Sequence, residues 1–95
     1  MYKTIMKAFK ATVRGMVQGV GFRFFVERVA NHLGVTGYVR NTPDGSVEVV
    51  ACGSDEPLKE LIEKLRAGPS FSSVSGVNVK WLDYCPEYQS FGIRF

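Results

Sequence analysis

The sequence predicts an α+β fold in which two helices cover one face of a mainly antiparallel sheet, in the order β-α-β-β-α-β with a terminal strand. Two stretches carry apolar residues at helical spacing, while several others alternate apolar with polar residues. Glycine and proline turn chemistry separates them, and no repeat or low-complexity tract interrupts the order.

Phe9, Ala11 and Val13 alternate with Lys10, Thr12 and Arg14, the pattern of a half-buried strand. Phe22, Phe25, Val26, Val29, Ala30 and Leu33 then share one helical face, and Gly34 stands where a left-handed C-cap belongs. A second strand fits 36–41. Thr42-Pro43-Asp44-Gly45 is a turn, with Pro presetting φ and Gly accepting a positive one. Ser46 to Ala51 alternates again and completes a hairpin. Ser54 and Asp55 can cap a helix beginning near Pro57, with Leu58, Leu61, Ile62 and Leu65 inward and Gly68-Pro69 as its stop. Phe71 to Gly76 reads as a serine-rich connection. Val77, Val79 and Trp81 mark a fourth strand, and Phe91, Ile93 and Phe95 a last one. Helices on one side of such a sheet give the split β-α-β, ferredoxin-like sandwich, with the first and third strands central.

The stretch Gly15-Met16-Val17-Gln18-Gly19-Val20-Gly21-Phe22-Arg23 carries the chemistry. It places three glycines between a strand and a helix, where backbone N–H groups and a helix N-terminus point at one spot and attract anions. Arg23 adds a permanently charged planar fork that suits phosphate oxygens. A cation in a first helical turn opposes the macrodipole, so a purely structural Arg23 is locally ill-placed. Better-known glycine signatures fail on single residues. Phe24 stands where a dinucleotide fingerprint needs a small residue, and Phe22-Arg23-Phe24 lacks the Lys-Ser or Lys-Thr of a Walker A loop. RNA-recognition sheets stack bases on central-strand aromatics, but 46–50 has none and carries Glu48.

Charge and cysteine usage narrow the class. A net charge of +3, from 12 Lys and Arg against 9 Asp and Glu, suits a small anion but not a nucleic-acid arm. Cys52 and Cys85 stand alone, without a C-x-x-C or a neighbouring histidine, so the expectation is two free thiols in a reducing cytoplasm. The first residues lack a continuous apolar core and a cleavage site, and no stretch approaches about 18 apolar residues, so neither a signal peptide nor a membrane span is expected. His32 reads as a solvated residue suited to a helix C-terminus. Glu48 and Lys80, both on the polar side of strands, could pair across the open sheet face, and Trp81 is expected to lie in the core.

Val17-Gln18-Gly19-Val20-Gly21-Phe22-Arg23, with Gly37-Tyr38-Val39-Arg40-Asn41 and Asp44-Gly45-Ser46-Val47-Glu48, resembles the acylphosphatases. The likeness covers nearly the whole chain, from about Lys7 to Phe95, and implies the ferredoxin-like fold as one domain over 1–95. Tyr38 stands where many relatives carry tryptophan, and residues 1–6 are expected to be a loose tail. The resemblance implies hydrolysis of the carboxyl–phosphate bond of an acyl phosphate. Arg23 would bind the phosphate, with the backbone N–H groups of Gln18, Gly19, Val20, Gly21 and Phe22, and Asn41 would position the attacking water. From the residues alone, Asn41 fits an ordinary turn residue ahead of the Thr42–Gly45 turn at least as well. No metal or cofactor is implied, because a carboxylate leaves without a proton and phosphoryl transfer can run on positioning and electrostatics. The partners expected are a small acyl phosphate and inorganic phosphate, with no nucleic acid, no membrane and a monomeric protein. The alternative is a specialised anion-binding module of the same fold, such as the acylphosphatase-like domain of hydrogenase-maturation proteins, which expects a longer chain with further segments.

Overall fold

The computed structural model describes residues 5–95. Its elements are β1 (Lys7–Met16), α1 (Phe22–Leu33), β2 (Thr36–Asn41), β3 (Val47–Gly53), α2 (Asp55–Ala67), β4 (Ser73–Leu82) and β5 (Phe91–Arg94). The strands form one five-stranded sheet in the order β4-β1-β3-β2-β5, antiparallel except for the parallel β2–β5 pair. The first and third strands are thus interior, as the split β-α-β plan predicts. Residues 1–4, most of the expected tail, lie outside the described residues, while Ile5 and Met6 precede β1 and are exposed.

The core lies between sheet and helices. Phe9, Ala11 and Val13 of β1 and Val47, Val49 and Ala51 of β3 face Phe22, Val26 and Ala30 of α1 and Leu58, Leu61 and Leu65 of α2, all buried. These positions follow period two on the strands and 3.6 on the helices, so burial and local propensity select the same elements. Gly34 does close α1 in the left-handed region, its N–H reaching the Ala30 and Asn31 carbonyls. Trp81, expected in the core, is instead 46% exposed, because it sits on the edge strand and packs only its edge against Phe9, at 5.7 Å between ring centroids.

Three further expectations are corrected. The serine-rich connection is shorter than predicted, because β4 begins at Ser73 and pairs with the end of β1 beyond a bulge at Arg14/Gly15. Gly15 makes that approach possible. It sits at φ +128, and any Cβ there would run into the Ser73 carbonyl oxygen. Second, Cys52 and Cys85 are not free thiols but form a disulfide, with Cα atoms 5.7 Å apart. Cys52 lies on the sheet face away from the helices, and the β4–β5 loop folds onto that face, where Tyr88 meets Tyr38 at 6.0 Å between ring centroids. Third, Glu48 does not pair with Lys80. β1 runs between their strands, and its Lys10 sits in register with Lys80.

Glu48 instead collects three donors. Arg40 Nε donates to it at 2.6 Å and the Tyr38 hydroxyl at 2.8 Å, and Lys10 Nζ lies at 3.2 Å. Burial pushes the carboxyl pKa up, but these hydrogen bonds outweigh it and hold the group at about 2. That value lies below the ordinary 4.5, so the ionised group stabilises the fold fully above pH 4.5 and loses that contribution as pH falls toward 2. Glu48→Gln is expected to cost about 2 kcal/mol at neutral pH. In urea titrations the gap between parent and variant should close through the same acid window. A gap that stays constant to the acid end would contradict this account.

Candidate active site

The bulge at Gly15 ends the regular part of β1 and turns the chain into the loop 17–21. Gly19 and Gly21 both take left-handed backbone, with φ +74 and +77, and Gly21 is the N-cap residue of α1. Its lack of a side chain leaves the helix end without a side-chain cap, and no acidic residue stands in the first turn. The first amide to close the helix is that of Phe25, which donates to the Gly21 carbonyl at 3.2 Å. Amides ahead of it in the first turn have no intrahelical acceptor, and with the dipole they attract negative charge.

The loop bounds a cavity of about 220 Å³, whose walls include Gly19, Gly21, Phe22, Arg23, Phe24 and Asn41. The structure thus brings Arg23 and Asn41, 18 positions apart in sequence, to one hollow. Of the five residues expected to offer backbone N–H groups, Gly19, Gly21 and Phe22 line it, whereas Gln18 and Val20 do not. A larger hollow of about 340 Å³ beside Leu33 is walled by Glu56, Glu60, Glu63 and Lys59, the wrong charge for phosphate.

Arg23 makes no ion pair among the described residues. One guanidinium nitrogen donates to the Arg94 carbonyl at 3.3 Å, and the group lies 4.7 Å from the centre of the Phe95 ring. A neutral acceptor and an aromatic face hold the fork without neutralising it. Asn41 ends β2, and its Oδ1 is buried with no hydrogen-bond partner among the described residues. A buried amide oxygen left unpaired costs about 1–3 kcal/mol, so it is an acceptor waiting for a donor such as water.

The side chain of Gln18 has a role that sequence reasoning missed. Its Nε2 donates to the carbonyls of both Thr42 and Ser46, at 2.8 Å each, fastening the loop to the turn that follows Asn41. That turn is stiff in its own right. The hydroxyls of Ser46 and Thr42 and the Ser46 amide donate to Asp44, holding its carboxyl well below the usual carboxylate range. A polar residue beside two glycines signals only a loop amide; that its side chain crosses to another loop is tertiary information. Gln18→Ala is expected to cost about 1–3 kcal/mol of stability by removing two hydrogen bonds, although the Thr42 and Ser46 carbonyls keep the Gly45 and Thr42 amides. If Asn41 positions the attacking water, as the family resemblance implies, turnover should fall by up to about 10²-fold through its misplacement against the loop. Steady-state kinetics beside a denaturation curve read both, and unchanged kinetics would remove the strut from the account.

His32 is exposed in the last turn of α1, away from the cavity. Among the described residues no cluster of His, Cys, Asp or Glu is placed to hold a metal ion, and no helix is long and apolar enough to cross a membrane.

Two helices on a five-stranded sheet, with a glycine loop and one unpaired arginine at the end of a central strand, define a ferredoxin-like α+β protein whose hollow suits a small anion. A family model described as Acylphosphatase matches residues 9–93. The chain is similar to an acylphosphatase of Caldanaerobacter subterraneus subsp. tengcongensis, with 45% identity over 87 residues, 92% of this chain and 97% of that one. In three dimensions it is similar to an acylphosphatase from Coxiella burnetii, with a TM-score of 0.91 at 38% identity, covering 99% of this chain and 100% of that one. Full-length HypF in a phosphate- and nucleotide-bound form gives the same TM-score, 0.91, at 26% identity, over 99% of this chain but 12% of that one. The chain belongs to the acylphosphatase family. Family and fold together support the hydrolysis of acyl phosphates.

Proposed function

We propose that this protein hydrolyses acyl phosphates without a metal, using Arg23 and loop amides to hold the phosphoryl group and Asn41 to hold the attacking water. The observation that carries the reading is the meeting, at one cavity, of an arginine with no counter-ion and a buried amide oxygen with no donor among the described residues. Each lacks what the substrate complex would supply. The amides of Gly19, Gly21 and Phe22 and the guanidinium hold the phosphoryl oxygens, and Asn41 Oδ1 accepts from water in line with the scissile bond. Water adds to phosphorus as the P–O bond to the carboxylate breaks, and the water's proton passes to a phosphoryl oxygen. The leaving carboxylate is a weak base and needs no general acid, consistent with a cavity whose walls carry no carboxylate or histidine.

The same reading takes 1–95 as one monomeric domain in the cytoplasm that needs neither nucleic acid nor membrane. The Cys52–Cys85 bond pulls against the cytoplasm, since reducing compartments keep thiols apart. The experiment is phosphate release from acetyl phosphate in excess chelator, for the parent and for Asn41→Ala. Chelator should leave the parent's rate intact, and Asn41→Ala should lower kcat by about 10²–10³-fold. Loss of activity in chelator would overturn the metal-free mechanism. Full activity in Asn41→Ala would overturn the role of the amide.

A further inference from the structure

A second hollow, of about 250 Å³, opens where β2 and β5 meet the loop that precedes β5. It shares no wall residue with the cavity at the glycine loop. Period two along the last strand builds it. Phe91 and Ile93 turn inward to the core, so Gly92 and Arg94 face the side of the sheet away from the helices. Gly92 stands in register with Tyr38 and leaves that side bare. A Cβ on Gly92 would meet nothing within 4 Å, so the gap is open space rather than packing.

Arg94 is the only charged side chain in these walls, and it is exposed. Its guanidinium lies 4.0 Å from the centre of the Tyr38 ring and 5.7 Å from that of Tyr88. Among the described residues it makes no ion pair. Glu48, on the same sheet face, is taken up by Tyr38, Arg40 and Lys10. Aromatic faces steady a guanidinium but leave its charge and its N–H donors free. The walls are also set before any ligand arrives. The Tyr38 hydroxyl is tied to Glu48 at 2.8 Å, the Gly37 amide donates to the Ser90 carbonyl at 3.0 Å, and the Cys52–Cys85 bond fastens the loop ahead of Tyr88. Such preorganisation lowers the entropy lost on binding.

The chemistry of the walls selects the ligand. One planar cation matches one planar monoanion, which a carboxylate supplies and a phosphate near neutral pH, close to a dianion, does not. Ring faces and a bare glycine beside that cation suit a flat apolar body. We propose that this hollow is a second binding site, separate from the anion cavity, for a small carboxylate borne on a flat ring. The carboxylate pairs with the Arg94 fork, and the ring lies over Gly92 against Tyr88. The Gln89 amide and the Ser90 hydroxyl are left to meet polar groups on the ring edge.

The test is a titration of the whole protein read by backbone amide NMR shifts. Inorganic phosphate is added first, until the amides of 17–23 stop moving, so that the glycine loop is already occupied. Nicotinate should then shift the amides of Gln89 to Arg94 and bind about tenfold more tightly than acetate. Its neutral isostere, nicotinamide, should bind at least about tenfold more weakly than nicotinate. Arg94→Gln should weaken nicotinate by about tenfold. Gly92→Val fills the gap, suits a strand and keeps the guanidinium, so it should weaken nicotinate as much while amides away from β5 keep the parent's shifts. Equal binding of nicotinamide and nicotinate, shifts confined to 17–23, or an affinity unmoved by either variant would overturn the site. A glycine loop that takes no phosphate in the first stage would count against the proposed hydrolysis and leave this site standing.

Discussion

Arg23→Gln is expected to lower kcat/KM for acetyl phosphate by about 10³–10⁵-fold, the range over which a guanidinium acts on phosphoryl transfer. Glutamine keeps much of the length and a hydrogen-bond donor but removes the charge and the fork, so the loss reports on electrostatics rather than bulk. The fold should tolerate the change. Arg23 makes one long hydrogen bond to a carbonyl and one aromatic contact, with no ion pair to orphan. Stability should therefore move by no more than about 0.5 kcal/mol, as at most surface positions. The same variant should lose competitive inhibition by inorganic phosphate. Steady-state kinetics with a denaturation curve would settle the matter: an active Arg23→Gln removes the proposed role, whereas an inactive but unfolded one would shift it to stability.

The second large effect is structural. Replacing both cysteines, as Cys52→Ala with Cys85→Ala, should cost the oxidised protein about 3–4 kcal/mol, because the bond closes a loop of 33 positions in the unfolded chain. For a domain of this size that corresponds to a drop in Tm of about 15 °C or more. Changing both residues avoids a lone reactive thiol. Reductant should bring the parent down to the double variant and leave the variant unmoved. A parent whose Tm ignores reductant would show that the bond contributes nothing.

These two predictions differ in how far their grounds were visible before folding. Arg23 was legible because a cation in a first helical turn is locally unfavourable and the glycines beside it have a shared purpose. The helices were legible too, since Phe22 to Leu33 and Leu58 to Leu65 repeat at helical spacing and glycines follow both. The cysteine pair was not, because two lone thiols carry no local signal and only the return of the β4–β5 loop joins them. Ser73 to Gly76 escaped for a similar reason. A polar edge strand owes its conformation to its neighbour, here β1, rather than to its own residues. Glu48 was read as exposed and paired with the wrong lysine, because strand order, not strand content, decides which cations reach it. Asn41 stood between these cases: the residue alone suggested a turn, and that its amide oxygen is buried without a partner among the described residues is visible only in the folded chain.

The anchoring of Arg23 by the Arg94 carbonyl has a thermodynamic corollary. β5 spans four residues at the sheet edge and pairs in the sheet with β2 alone; its Phe91 is buried in the core and Ile93 packs against it, so the end at Arg94 is the part that frays first. Fraying would release the guanidinium from its tether while both helices stayed seated. Under the proposed role of Arg23, the fraction of molecules able to turn over would depend on the docking of that short ribbon and on whatever steadies it, including the sulfur bridge upstream.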